Sequence, residues 1–451
     1  MAPFIEFVLE QVKGDLAEAL APERIEQICR ELNYVWRRCT LDPVTTVYAF
    51  LRQVLAGNIA CDHVPHLVGL NVTGEAYCKA RARLPLELFQ RLMEAVTSAV
   101  NDQVPAAWRD HRVWHVDGSA CSMPDTPPLQ AAFGQPGAQR PGCGFPVAHL
   151  LTLFDASTGF LLRVLPAPLR THDQSQVPRV HEAFRPGDVV VADRGFCSYT
   201  HLALLNLAGV FALFRIHSAT IVNFQKGRPY SPQKRAKNVP RVKGQPTSRW
   251  VQSLSQQDQI VEAFKPSERP KWMTPEDFAR LPESMRLREL RYRINRPGFR
   301  VREVTLVTTL LDAQRYPAAE LAKLYLKRWQ IETNLRHLKQ TLRMDLLRTK
   351  TVDGIHKELA MFAIVYNLVR SVMLRCAKRQ RVPAVRISFI DAQRRLSYAT
   401  LQATPRSLIV LPDRPGRREP RVCKRRPKRY RLMTKPRRKL QQALIRKQLT
   451  L

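Results

Sequence analysis

The sequence predicts an α/β fold: a mixed sheet with helices on its faces, an all-helical region before it and an insertion within it. Three observations point there. Apolar residues recur at helical spacing through the first hundred residues, the period drops to two at Val113, and strand-like and helix-like runs alternate from there to about residue 216.

In the helical region, Phe4, Val8, Val12 and Leu16 lie four apart, and Ile25, Ile28 and Leu32 keep the same face. Pro43 opens a third run through Tyr48, Leu51 and Leu55, and Leu84, Leu88, Leu92 and Val96 make a fourth. Val113–Val116 then reads as a short strand ending at Asp117-Gly118-Ser119. The segment Cys121–Pro146, with six prolines and four glycines, reads as a long loop. Val147–Phe154 and Phe160–Leu165 flank a turn and read as a β-hairpin. A helical segment around Val177–Ala183 leads to Asp188–Ala192, an apolar run with the character of a buried strand, which ends at Asp193-Arg194-Gly195. Tyr199–Leu207 is helical and Val210–Ile216 is another strand. Residues 217–300 break the alternation as a basic, proline-punctuated block that regains strand character at Leu287–Ile294. Val301–Leu311 is strand-like, Pro317 starts a helix expected to run to about Arg343, and Ile355–Ala377 is a second long helix. The reading divides the chain into a helical region, 1–105, an α/β core, 106–378, interrupted by the insertion 217–300, and a basic C-terminal region, 379–451, expected to be partly disordered.

Charge identifies the class of partner. Lys and Arg number 73 against 38 Asp and Glu, a formal net charge of +35. A surplus of that size repels itself unless a polyanion offsets it, and nucleic acid is the natural one. At 451 residues and 45% apolar content the chain is neither a disordered basic tail nor a small packaging protein. The surplus is also local: residues 1–60 hold six basic and eight acidic side chains, residues 217–257 eight basic and no acidic, and residues 414–451 sixteen basic and one acidic. Such placement favours a nucleic-acid footprint over general solubility. Glu6 and Glu10 interrupt the apolar start, unlike a signal peptide, and the apolar run at Ala360–Val369 is too short to span a bilayer, so a cytoplasmic protein is expected. Nine cysteines without a CxxC pair argue against a disulfide scaffold or a zinc ribbon.

Candidate chemistry sits at the strand ends. Asp117 and Asp193 are placed at the carboxyl ends of two expected strands, the edge where ligands bind in open α/β sheets. Each is followed within two residues by glycine, which allows a turn and leaves room for a bulky ligand. For either aspartate alone, a turn or a helix cap is the favoured reading. Two-metal phosphodiester cleavage needs a third carboxylate. At about 100° per residue, Arg328, Glu332 and Lys339 fall within roughly 60° of Tyr325, on one stripe of the helix from Pro317. A carboxylate between cations on one face suits a metal ligand beside a phosphate clamp, since Arg grips phosphate bidentately and Lys acts as a point charge. A solvated face with an Arg328–Glu332 ion pair is the plainer alternative. His115 shares the strand face of Asp117, and Trp250, Trp272 and Trp329 are read first as core residues.

The pattern Y-x2-R-x3-E-x6-K, complete at Tyr325, Arg328, Glu332 and Lys339, resembles the signature of DDE transposases of bacterial insertion sequences, in the subfamily named for that motif. The contexts V-D-G-S around Asp117 and V-V-V-A-D-R-G-F around Asp193 match as well, and the resemblance covers roughly residues 70–375. It implies an RNase H-like core in which Asp117, Asp193 and Glu332 bind two Mg²⁺ or Mn²⁺ ions, with a largely β insertion before the glutamate. Tyr325, Arg328, Lys339 and Arg194 would then contact DNA phosphate, and residues 1–105 would form a DNA-binding domain. The implied reaction cuts terminal inverted repeats and joins the ends to target DNA, with a dimer in the synaptic complex. A DNA-binding protein on the same scaffold without activity, or a structure-specific nuclease, remain the competing readings.

Overall fold

The computed structural model describes residues 15–101, 106, 108–171, 173–231, 244–294, 303–398, 407–412 and 433–449. Helices come first: α1 (Asp15–Glu18), α2 (Pro22–Glu31), α3 (Pro43–Leu55), α4 (Val64–Val68), α5 (Gly74–Arg83) and α6 (Leu86–Asn101). Of the first expected helical repeat only Leu16 lies within the described residues, where it is buried in α1. Proline at the first turn and side-chain caps start several of these helices; Asp42, for example, accepts the Thr45 N–H at 2.7 Å ahead of α3.

The core then runs β1 (Val113–Ser122), α7 (Pro127–Phe133), β2 (Val147–Asp155), β3 (Leu161–Pro168), α8 (Asp173–Gln176), α9 (Pro178–His181), β4 (Val189–Ala192), α10 (Tyr199–Leu207) and β5 (Phe211–Arg215). The insertion supplies β6 (Arg249–Ser255), β7 (Asp258–Phe264), α11 (Pro275–Arg280) and β8 (Ser284–Arg293). Beyond it lie β9 (Glu303–Thr308), α12 (Ala318–Leu326), α13 (Trp329–Arg336), α14 (Val352–Gln380), α15 (Phe389–Tyr398) and α16 (Arg437–Leu449).

All nine strands join one mixed sheet in the order β3-β2-β1-β4-β5-β9-β8-β7-β6. Strands β1, β4 and β5 are parallel to one another, while β2 is antiparallel to β1, which is the mixed α/β core expected. The insertion strands continue that sheet, because β8 pairs with β9 and β9 with β5.

Alternation sorts side chains to the two faces. Val113, Val189, Val191 and Leu213 pack with Leu321, Leu324 and Tyr325 of α12 on one face. Trp114, Val116, Val190 and Ala192 belong to the larger core on the other, which includes the N-terminal helices and α14. Helix α14 is apolar and long enough to cross a membrane by composition, yet 89% of its most apolar window is buried in protein, as in a core helix. Its Glu358 is fully buried and accepts hydrogen bonds from Asn58 Nδ2 at 2.7 Å and from the backbone N–H groups of Arg348 and Thr349 at 3.0 Å, which fastens the N-terminal helices to the chain entering α14.

The structure corrects several expectations. Strand β1 does not end at Asp117 but continues to Ser122, because β2 keeps pairing with it as far as Val147. The expected loop 121–146 contains α7, started by Pro127 and anchored by buried Leu129 and Phe133 one turn apart. The helix from Pro317 is broken. Arg328 N bonds back to Tyr325 O and Ile331 N to Arg328 O in tight three-residue steps, and His337–Thr341 widens into a π turn. Within the basic C-terminal region, expected to be only partly disordered, Phe389, Ala392 and Leu396 of α15 are buried in the main core, which does not go against that expectation. The most basic stretch, residues 414–451, falls largely on 414–432, outside the described residues.

Candidate active site

The parallel pairing of β1 with β4 ends at Val116 opposite Ala192, and the parallel pairing of β4 with β5 ends at Ala192 opposite Phe214. The next residue on each strand is Asp117, Asp193 and Arg215. The register therefore lines up two carboxylates and a guanidinium in one row where the parallel ladder stops. By alternation with Val113, Val191 and Leu213, all three leave the sheet on the face that α12 covers.

The helix break brings the motif onto this row. Arg328, at the tight turn, places Nη1 3.6 Å from Asp117 Oδ2 and Nη2 3.7 Å from Glu332 Oε1. The Tyr325 hydroxyl donates to Asp193 Oδ1 across 3.4 Å, and the Arg328 guanidinium stands 5.7 Å from the Tyr325 ring centre. Five of the expected residues thus form one cluster: Asp117, Asp193, Tyr325, Arg328 and Glu332. Lys339 is not part of it. It lies on the π turn, near enough to Cys121 of β1 to act electrostatically on that thiol. Arg194 is exposed in the turn after Asp193 and lines a cavity of about 210 Å³ with Arg215, His217 and Arg291.

Electrostatics follow from burial at the edge. Burial pushes the Asp117 carboxyl up to about 6; Arg328 and the Gly118 N–H work against that rise, and Asp193 and Glu332 add to it. Burial alone would lower Arg328, but Tyr325, Asp117, Asp193 and Glu332 around it hold it above its ordinary value. Burial also raises the Tyr325 phenol, so that it remains a neutral donor. His115 shares the face of Asp117 as expected. It is 1% exposed and burial, with Arg328 and Lys327 nearby, lowers it to about 3, so its ring is neutral.

These carboxylates suit hard divalent cations, which take oxygen donors. Asp117 and Glu332 already face a common cation, the Arg328 guanidinium. Among the described residues no three His, Cys, Asp or Glu side chains stand close enough to share one ion. Two carboxylates therefore stand on the sheet edge and the third lies across Arg328.

Two sequence expectations change here, those for Gly118 and Trp329. Gly118 makes no turn, since it lies inside β1, and the room it leaves is filled from within: a Cβ there would stand 2.6 Å from Asp173 Oδ1. Trp329 is 43% exposed rather than core. Trp250 is partly buried with its Nε1 3.3 Å from Ser253 Oγ, and Trp272 packs against the main core. Arg215 joins the row without a motif to mark it. Its signal was available: a charged residue closing an apolar strand run, in the same position on β5 that Asp193 holds on β4.

The transposase DDE domain family matches residues 108–368, a span that begins just before β1 and contains all three carboxylates. The chain is 26% identical over 383 residues to the transposase InsG for insertion sequence element IS4 of Escherichia coli (strain K12), covering 80% of this chain and 78% of that one. Among solved structures, the piggyBac transposase synaptic complex with hairpin DNA aligns over 87% of this chain and 79% of its own, with a TM-score of 0.44 and 11% identity.

Proposed function

The chain belongs to the transposase DDE domain family, and from that premise we propose that it cuts the terminal inverted repeats of an insertion sequence and joins the ends to target DNA through Asp117, Asp193 and Glu332. It is a DNA transposase, a class of enzyme that depends on divalent metal. The observation that best supports this assignment of residues is the row itself. Two aspartates from separate strands meet where their ladder stops, with Tyr325, Arg328 and Glu332 from one helix pair over them.

Two Mg²⁺ or Mn²⁺ ions held by the three carboxylates would supply Lewis acidity and neutralise charge at the scissile phosphate. The chain's own residues orient the DNA. Arg328 and the neutral Tyr325 hydroxyl would offer donors to phosphate oxygens beside the break, and Arg194 and Lys339 would add further phosphate contacts. In the reaction, the oxygen of water or of a DNA 3′-hydroxyl forms a bond to phosphorus as the bond to the departing 3′-oxygen breaks. No protein side chain becomes covalently attached. The helical region before residue 105 would bind the element ends, two chains would pair in the synaptic complex, and the protein would work in the bacterial cytoplasm on nucleoid DNA.

The test incubates purified protein and Mg²⁺ with a labelled element-end fragment. Asp193→Ala is expected to lower cleavage by roughly 10²–10³-fold or more, the scale on which losing charged transition-state stabilisation acts. Equal cleavage by wild type and Asp193→Ala would overturn the triad assignment.

A further inference from the structure

Beyond the last ladder pair, Val116 with Ala192, no backbone pairing ties β1 to the chain that follows β4. Asp117 stays in register through β2, opposite Thr152, whereas Asp193 enters a short turn, Arg194–Phe196. The register brings the two carboxylates into one row, and past that last pair a contact outside the ladder can hold their spacing. On the sheet face opposite Asp117, the short helix α8 stands behind that gap. The Asp173 Oδ1 atom lies 2.8 Å from His149 Nε2 of β2, and His149 sits opposite Ala120 of β1. The same carboxylate fills the space that Gly118 leaves and lies beside Gly195, where a Cβ would stand 3.6 Å from Asp173 Oδ2. The next residue, Gln174, donates from Nε2 to the Gly195 carbonyl at 3.1 Å. One two-residue segment therefore touches β2, the glycine after Asp117 and the glycine two places after Asp193.

We infer that Asp173, paired with His149 and continued by Gln174, is a positioning residue that sets the spacing of Asp117 and Asp193 from behind the sheet. The inference rests on the triad reading above. It explains the glycine at 118, where a methyl group would collide with the Asp173 carboxylate; at Gly195 a methyl group would only meet that carboxylate in ordinary contact. It also accounts for a carboxylate that is 30% exposed and has no catalytic contact of its own. Groups that hold metal ligands in place matter through the ligands, and losing one typically weakens metal binding by roughly tenfold to a hundredfold.

The test titrates the full chain with Mn²⁺ alone, followed by electron paramagnetic resonance, well below the melting temperature of each variant. Asp173→Ala and Gly118→Ala are expected to bind Mn²⁺ roughly tenfold or more weakly. Asp173→Asn, which keeps the shape that fills the space beside Gly118, is expected to recover most of that loss. If Asp173→Ala fails to fold, His149→Gln tests the same contact from β2 with the same expectation. Wild-type Mn²⁺ affinity in folded Asp173→Ala or His149→Gln, with Asp193→Ala weakened, would overturn the inference and leave the triad standing. Wild-type affinity in Asp193→Ala as well would overturn the triad and the inference with it.

Discussion

Two aspartates in the same sheet are buried to opposite effect. In the parallel half, Asp117 stands on β1 beside the wholly buried β4, and its nearest cation is 3.6 Å away and shared with Glu332. In the insertion half, Asp258 takes the Nε and Nη2 atoms of Arg288 at 2.8 and 2.5 Å, and Arg288 donates its Nη1 to the Tyr316 carbonyl at 2.7 Å. Asp258 is saturated; Asp117 is not, and burial pushes it up to about 6. A carboxylate whose buried charge is fully paired holds structure together. One that burial destabilises and no full partner satisfies is available to a ligand.

The sharpest way to break this contrast is to truncate each residue. Asp258→Ala leaves Arg288, which is 0% exposed, as an unpaired buried charge, and should cost about 3–5 kcal/mol of stability. A denaturant melt within about 1 kcal/mol of wild type would show that Asp258 is no more structural than Asp117.

Asp117→Asn should act in the other direction. A carboxyl raised from 3.8 to about 6 favours the protonated form in the fold. Its contribution to stability is therefore fully present below the unfolded value and is lost as pH rises to about 6. In EDTA at pH 7 the amide should raise stability by about 1–3 kcal/mol while cleavage falls. The wild-type excess between the two pKa values should flatten in the variant. A stability loss at pH 7 would place Asp117 with the structural carboxylates.

The smallest effect separates exposed from buried pairing within the insertion. Arg249 of β6 pairs with Glu262 of β7 on the same ladder as Asp258, but its side chain is 54% exposed. Arg249→Ala should change stability by at most about 1 kcal/mol. A loss matching that of Asp258→Ala would mean that ladder position, not burial, governs these pairs.

Legibility in the sequence followed the same division. Strands buried on both faces were readable as apolar runs, so β4 was placed within a residue, as Val189–Ala192 against an expected Asp188–Ala192. Strand β1 was half-read because its second half is only partly buried and is held by a cross-strand partner that no local pattern announces. The single helix expected from Pro317 broke at Arg328, where the side chain turns back to Asp117, a contact 211 positions away in the chain. The five clustered residues were named from motif and spacing; Lys339, drawn on the same stripe, lies on the π turn near Cys121. Asp173 and His149 left no signal, since their partners are glycines that gain meaning only when the carboxylate is seen against them.

The sequence by itself pointed to the class of partner, through a charge of +35 held mostly in particular segments, and its resemblance to a motif singled out the three carboxylates as candidates. Composition and local spacing are properties of the chain alone. The tertiary structure alone decided where the ladder stops, which residues share its edge, and what stands behind them. Those depend on register between strands far apart in sequence, and register is settled only when both faces of the sheet are packed.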